Sequence, residues 1–154
     1  MRGLVLLVLM CTACSGAKPG QNGESARKVV ADIEISQARL RQPLPGTDKS
    51  VGYFELQNHT DGTMVLSGAS SPAIGAIEMH ETAEVDGLMR MRRLSEVRIE
   101  AGERVVFAPG GKHLMLFRLT ELPATVPVTL LFESRPPLVV EFQTFSLGEV
   151  TSLK

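Results

Sequence analysis

The clearest sequence signal for the fold is the stretch AIEMHETAEVDGLMRMRRL, residues 76–94. Two runs with the residue types of β-strands, Ala76–Thr82 and Leu88–Leu94, flank a short polar segment. That segment contains Asp86-Gly87, the strongest two-residue hairpin signal in the chain. Because no 3.6-residue period is sustained here, the stretch predicts a β-hairpin.

The rest of the chain from Lys28 onward has the same texture of short apolar or alternating runs between turn residues. The 154 residues, with 44% hydrophobic content, fit one domain, which we expect over residues 28–147. This spacing predicts an all-β domain, either a sandwich or a barrel with Greek-key connections. The other predicted strands are Val29–Ser36, Val51–Gln57, Thr63–Ser67, Arg104–Phe107, His113–Leu119, Val126–Glu133 and Leu138–Phe145.

The N-terminus has the pattern of an export signal. Arg2 supplies a positive charge before an almost unbroken apolar run, Gly3–Ala13. This run has about the length of a signal-peptide core and is too short for a comfortable membrane span, which needs about 20 apolar residues. Residues 1–13 are therefore predicted to be a signal peptide, and the protein is expected in the periplasm.

Two processing routes are open after the signal. Cys14 follows small residues as in a bacterial lipobox, and its lipidation would anchor the protein to a membrane. The departure is Cys11, which stands where a lipobox usually has Leu. The alternative is ordinary cleavage after Ala17. Both routes export the protein. Lipidation at Cys14 leaves residues 14–27 as a flexible tether, and cleavage after Ala17 shortens this tether to residues 18–27; residues 148–154 form a C-terminal tail.

Composition excludes several classes of function. Both cysteines belong to the signal region, so residues 15–154 can form no internal disulfide and offer no thiolate nucleophile or ligand. Sixteen basic and seventeen acidic residues give a net charge of −1, which does not favour nucleic-acid binding. Without a Gly-rich phosphate loop or a nucleophile elbow, we do not expect an enzyme.

The hairpin predicts that histidine and methionine share one face. If Asp86-Gly87 forms the turn, Thr82 faces Met91 across the ladder. His80 has the same parity as Thr82 and lies one diagonal step from Met91, about 7–8 Å away at the backbone. Met89 lies on this face as well, as an additional candidate ligand, whereas Met79 points to the other side.

His113 and Met115 provide the second half of a candidate metal site. They flank Leu114 on a predicted strand and therefore point to one side together. Two imidazoles and two thioethers favour Cu(I), because thioether sulfur is soft and neutral. Structural zinc would normally recruit Cys, and catalytic zinc usually takes His with carboxylates.

These residue types also have ordinary structural roles. Methionines near strands usually fill gaps in a core, which we expect of Met64. His59 lies in a polar turn and is expected at the surface. A single buried histidine often does no more than bond to the backbone. The joint pattern of His80 and His113 with the nearby methionines is what favours a metal site.

That joint pattern carries a family resemblance. The spacing from His80 through ten residues to Met91, and through twenty-one more to His113-Leu114-Met115, matches H-x10-M-x21-H-x-M. This is the signature of the periplasmic copper chaperones called PCuAC, which the sequence resembles over residues 32–133. Matching segments are GYFELQN (52–58), EMHET (78–82), DGLMRMR (86–92), PGGKHLML (109–116) and VTLLFE (128–133).

The resemblance implies a cupredoxin-like sandwich that binds Cu(I) through His80, Met91, His113 and Met115. It also implies delivery of copper towards the dinuclear centre of cytochrome c oxidase, alongside a Sco-type protein. The tail, residues 148–154, contains neither His nor Met, so the second, tail-based copper site of some relatives is not expected. We expect a monomer.

Two other functions remain open. An electron-transfer cupredoxin shares the sandwich, but blue-copper centres use a Cys thiolate, which the mature domain lacks. A structural β-sandwich lipoprotein without a physiological metal would use the same His and Met residues for packing and surface. The pattern favours a copper chaperone over both.

Overall fold

The computed structural model describes residues 28–30 and 32–147. The predicted signal peptide, Cys14, the tether and the C-terminal tail lie outside the described residues. Within these ranges no helix is long and apolar enough to span a lipid bilayer. The strands are β1 (Lys28–Val30), β2 (Ile33–Arg41), β3 (Lys49–Asn58), β4 (Met64–Ser70), β5 (Ala76–Val85), β6 (Leu88–Leu94), β7 (Val97–Ile99), β8 (Arg104–Phe107), β9 (Lys112–Phe117), β10 (Thr125–Phe132) and β11 (Leu138–Phe145).

Hydrogen bonds join these strands into one continuous mixed sheet. The order is β6-β5-β9-β8-β3-β2-β11-β10-β4-β7, with β1 paired to β2 and β9 also paired to β3. Met79 on β5 and Ile99 on β7, strands from opposite ends of this order, belong to the same buried core. The sheet therefore folds over on itself, and its two halves face each other as a sandwich.

Burial alternates strictly along β3, a central strand of the sheet with one face on the core. Its buried side chains are those of Ser50, Phe54, Leu56 and Asn58, and half-buried residues lie between them. Gly52 occupies the remaining position on the core side, where a Cβ atom would lie 2.6 Å from Cδ2 of Leu40. Leu40 is the residue paired with Gly52 on the neighbouring strand β2, so a larger side chain at position 52 would collide with a buried neighbour within the same sheet.

Three phenylalanine rings form the centre of the core. Phe54 stacks on Phe107 of β8 with 4.3 Å between ring centroids, and its edge meets Phe142 of β11 at 5.8 Å. Burial of a side chain of this size contributes about 1.5–3 kcal/mol. This cluster ties together three strands of the continuous sheet.

The side-chain amide of Asn58 is fully buried and organises the loop after β3. The Nδ2 of Asn58 donates to the carbonyl oxygens of Gly62, at 2.8 Å, and Glu100, at 2.9 Å. Its Oδ1 accepts hydrogen bonds from the backbone N–H and the hydroxyl of Thr60. Because Asn58 is inaccessible to solvent, these partners cannot be replaced by water.

The structure corrects two strand predictions. The run Val29–Ser36 is not one strand but parts of β1 and β2, which pair antiparallel with Val30 opposite Ile33. Asp32 lies in the turn, but the run has no Gly, Pro or Asn beside it, and its apolar alternation resembled a continuous strand. Strand β7 was missed because its three residues are too few to show a period.

Replacing Asn58 with Ala should lower the free energy of unfolding by about 1–3 kcal/mol, because buried groups around it lose their partners. Urea denaturation measures this change. Asp61→Ala, in the same loop but exposed, is the matched control and should stay within about 0.5 kcal/mol of wild type. Equal effects of the two changes would contradict a structural role for the buried amide.

Candidate metal centre

The β5–β6 hairpin has the turn and the register that the sequence predicted. Asp86 and Gly87 both have positive φ angles, 55° and 75°, as in the two-residue turn that matches the twist of a hairpin. Thr82 lies opposite Met91, and Glu84 lies opposite Met89. His80 and Met91 therefore lie on one face of the hairpin, one diagonal step apart.

Strand β9 lies on the other side of β5 and brings the second half of the motif to the same face. His80 is paired directly with His113, and Glu78 is paired with Met115. The other three predicted ligands therefore lie around His80, on the two strands adjacent to β5. The distance between Met91 and Met115 is set by β5, which separates β6 from β9.

The spacing of the two imidazole rings is compatible with a shared ion. The ring centroids of His80 and His113 lie 6.0 Å apart with an interplanar angle of 34°. A metal–nitrogen bond is about 2.0–2.1 Å, so an ion lies about 3.2 Å from each ring centroid. Two rings that bind one ion can then be separated by up to about 6.4 Å.

The four predicted ligands differ in how far they are buried, from the histidines to Met91. His113 is only 7% exposed and the His80 side chain 13%, whereas Met91 is 54% exposed. Met115 is half-buried. The opposite face of β5 and β9 belongs to the core, where Met79 packs as expected. The histidines are thus held by the body of the sandwich, while Met91 stands on a hairpin that projects from it.

A backbone carbonyl orients His113. Gly111, which follows the turn at Gly110 (φ 80°), accepts a hydrogen bond from Nδ1 of His113 at 3.0 Å. Since a carbonyl can only accept, Nδ1 carries the proton and Nε2 keeps its lone pair. The same carbonyl accepts the backbone N–H of Thr82, which ties this loop to β5. The free nitrogen for a metal is therefore Nε2.

A carboxylate orients His80 in the opposite sense. Nε2 of His80 lies 3.0 Å from Oε2 of Glu78, which can only accept, so in the neutral imidazole Nε2 carries the proton and Nδ1 keeps its lone pair. This Nδ1 is buried and has no hydrogen-bond partner among residues 28–30 and 32–147. The hydrogen bond to His80, and next the nearby Arg93 charge, lower the pKa of Glu78. Carboxylate–histidine pairs of this kind orient metal ligands in proteins.

The remaining His and Met residues lie where the sequence predicted. Met64 is buried in the core, and His59 is exposed and lies 3.1 Å from Glu34. Met89 shares the face of Met91 and is 62% exposed. In the part of the chain that the structure describes, no three His, Cys, Asp or Glu side chains are grouped to hold a metal ion. The soft donors available in addition to the two imidazole nitrogens are the thioether sulfurs of the nearby methionines.

Comparison with known proteins identifies the family. The model of the family described as "Putative lipoprotein LpqE-like" matches residues 33–144. The chain belongs to this LpqE-like family. A curated relative, the putative lipoprotein Lxx21020 of Leifsonia xyli subsp. xyli, is 30% identical over 146 residues, which cover 91% of this chain and 86% of the relative.

Solved structures confirm the fold of this LpqE-like protein. The copper-bound PCuAC domain from PmoF2 is 22% identical with a TM-score of 0.65, over 79% of this chain and 98% of that domain. Apo-DR1885 from Deinococcus radiodurans is 21% identical with a TM-score of 0.59, over 92% and 97%. The predicted resemblance to PCuAC, and with it the single-domain, cupredoxin-like Greek-key β-sandwich, is confirmed.

The two groups that orient the histidines of the candidate site were not predicted from the sequence. Glu78 has the same strand parity as His80, and this two-residue spacing was the only available signal. The carbonyl of Gly111 gave none, because its direction depends on the backbone turn at Gly110. These two groups determine which nitrogen of each imidazole is free.

Proposed function

We propose that this protein is a periplasmic metallochaperone that holds one Cu(I) ion between His80, Met91, His113 and Met115 and passes it to a partner. The observation that carries the proposal is the cross-strand histidine pair. Each ring has one nitrogen engaged by a supporting group, and its other nitrogen has no hydrogen bond to any residue in the ranges 28–30 and 32–147. The copper-bound PCuAC domain from PmoF2, which has the same fold, supports copper as the ion.

The proposed ligands suit Cu(I) better than other metals. Two neutral imidazoles and two thioethers are soft or intermediate donors, whereas Mg²⁺, Ca²⁺ and Mn²⁺ prefer oxygen. Neutral ligands also leave a monovalent ion with a small net charge, which can be partly buried at modest desolvation cost. Thioethers need no deprotonation, so Met91 and Met115 remain ligands in mildly acidic surroundings.

The gradient of exposure gives a route for capture and release. Met91 is the most exposed of the four proposed ligands. An incoming thiolate of a partner can replace its thioether first, while the buried His80 and His113 still hold the ion. Met89, exposed on the same face, provides a second thioether at the entrance. Transfer by ligand exchange then avoids release of free copper.

The proposed location and destination complete the function. The family description and the name of the Leifsonia xyli relative support an exported lipoprotein, which Cys14 would anchor to the membrane. The resemblance to PCuAC supports assembly of the copper centre of cytochrome c oxidase as the destination. A Sco-type protein or an oxidase subunit is then the copper acceptor.

A competition titration with a chromophoric Cu(I) chelator tests the metal site. The chain without its signal, residues 18–154, should bind one equivalent tightly. The double variant His113→Ala/Met115→Leu should lose more affinity than the ~10–100-fold typical of an outer-shell change, because two ligands are removed.

Two variants serve as controls for this titration. His59→Ala removes the surface histidine and should bind Cu(I) as wild type does. Met89→Leu removes the exposed thioether outside the motif and should change equilibrium affinity little. If the double variant bound Cu(I) as tightly as these controls, the proposed set of ligands would be wrong. A structural lipoprotein without a physiological metal would then be the better interpretation.

Glu78→Ala should weaken Cu(I) binding by about 10–100-fold, because His80 loses the carboxylate that orients its ring. The same chelator titration measures this. Glu84→Ala is the matched control, since Glu84 lies on the same face of β5 but is exposed. Unchanged affinity in Glu78→Ala would show that the carboxylate does not position His80 for the metal.

A further inference from the structure

A cluster of cationic and aromatic side chains lies on the same outer face of the sheet as the metal centre. It consists of Arg39, Arg41, Tyr53 and Phe145, and we call it the arginine platform. Arg39 is paired with Tyr53 across β2 and β3, and Arg41 is paired with Phe145 across β2 and β11. The Arg39 guanidinium lies 5.8 Å from the Tyr53 ring centroid and 5.5 Å from that of Phe145. The rings hold the guanidinium in place.

The positive charges of the arginine platform are not paired with carboxylates of the described residues. Among residues 28–30 and 32–147, neither Arg39 nor Arg41 forms an ion pair with a carboxylate, and the buried Nε of each lacks a hydrogen-bond partner. Glu55, on the same face of β3 as Tyr53, is already engaged by Arg104. Unpaired donors of this kind are costly, which points to an anionic ligand from outside the domain.

Tyr53 adds a neutral donor to the two guanidiniums. Burial raises the pKa of its phenol, so the hydroxyl stays protonated at neutral pH. Guanidinium groups match carboxylates in a bidentate geometry, and stacking on an aromatic ring leaves the edge of the guanidinium available for such a bond. The platform therefore suits carboxylate groups.

The platform lies beside the proposed copper site. Val51 on β3 is paired with Met115 on β9, and the pairing of Gly52 with Leu40 brings Arg41 beside Val51. Neighbouring strands are about 4.8 Å apart, so the Arg41 and Met115 backbones are separated by about 10 Å. A protein that covers the platform would also face the Met115 side of the metal centre.

We propose that the arginine platform binds acidic side chains of the copper-accepting protein and holds that protein over Met115. This inference rests on the proposed function. A protein acceptor is favoured over an anionic lipid because the platform lies on the same face as the proposed metal ligands. An acceptor must approach this face to receive the ion, whereas a lipid has no such requirement. Charge attraction of this kind accelerates encounter more than it changes the affinity of the final complex.

The test measures Cu(I) transfer from the copper-loaded chain without its signal, residues 18–154, to two synthetic peptides. Both carry the same Cys-x-x-Cys site, flanked by glutamates in one and by glutamines in the other. At low salt, transfer to the acidic peptide should be about 10-fold faster, and the difference should disappear at high salt. In Arg39→Gln/Arg41→Gln both peptides should accept copper at the same slow rate.

Controls separate docking from metal binding. Arg98→Gln/Arg135→Gln removes the same charge from exposed positions outside the platform and should keep the acidic preference. Equilibrium Cu(I) affinity of Arg39→Gln/Arg41→Gln should equal that of wild type, because neither residue is a ligand. Arg41→Gln alone, which leaves the ring contacts of Arg39 in place, should give a partial loss if the double variant folds poorly.

Three outcomes would overturn the inference. Equal rates with both peptides in wild type at low salt would exclude charge-guided docking. A preference that survives Arg39→Gln/Arg41→Gln would place the docking elsewhere. Loss of binding to phosphatidylglycerol vesicles in that variant, with the peptide preference intact, would assign the platform to lipid. If no Cu(I) binds at all, the proposed function fails, and titration of the apo-protein with the acidic peptide still tests the platform.

Discussion

The antiparallel pairing of β5 with β9 is the interaction on which the candidate site depends. It puts His80 directly opposite His113, so that two residues 33 positions apart in the chain have ring centroids 6.0 Å apart. The same pairing buries Met79 and Leu114 on the reverse face. A shift of β5 by one residue would move Met79 outward and turn His80 into the core, away from His113. The hydrophobic core thus fixes the geometry of the site.

The four proposed ligands differ in how firmly the fold holds them. The histidines lie where β5 is hydrogen-bonded on both sides, and outer groups orient each ring. Met91 lies on β6, an edge strand whose side chains are mostly exposed. A carrier benefits from this difference, because firm ligands retain the ion and an exposed ligand can be exchanged. The arginine platform would add a place where the acceptor is held during that exchange.

The sequence was most informative where structure is local. The Asp86-Gly87 turn determined the register of β5 and β6, so the relation of His80 to Met91 followed from neighbouring residues alone. The relation of His80 to His113 depends on long-range pairing: the residue pattern suggested that the two belong to one site, and the family resemblance supported this, but neither gave the pairing of β5 with β9. The roles of Glu78 and Gly111 depend on side-chain and carbonyl directions, which no sequence spacing specifies.

X-ray absorption at the copper K-edge of the Cu(I)-loaded protein tests the central claim most directly, because it counts the atoms bound to the ion. The account predicts two nitrogen neighbours at about 2.0 Å and two sulfur neighbours at about 2.3 Å. The protein measured is residues 18–154, which contain no cysteine, so any protein sulfur in this shell must come from methionine. A first shell made only of nitrogen and oxygen would contradict the proposed site.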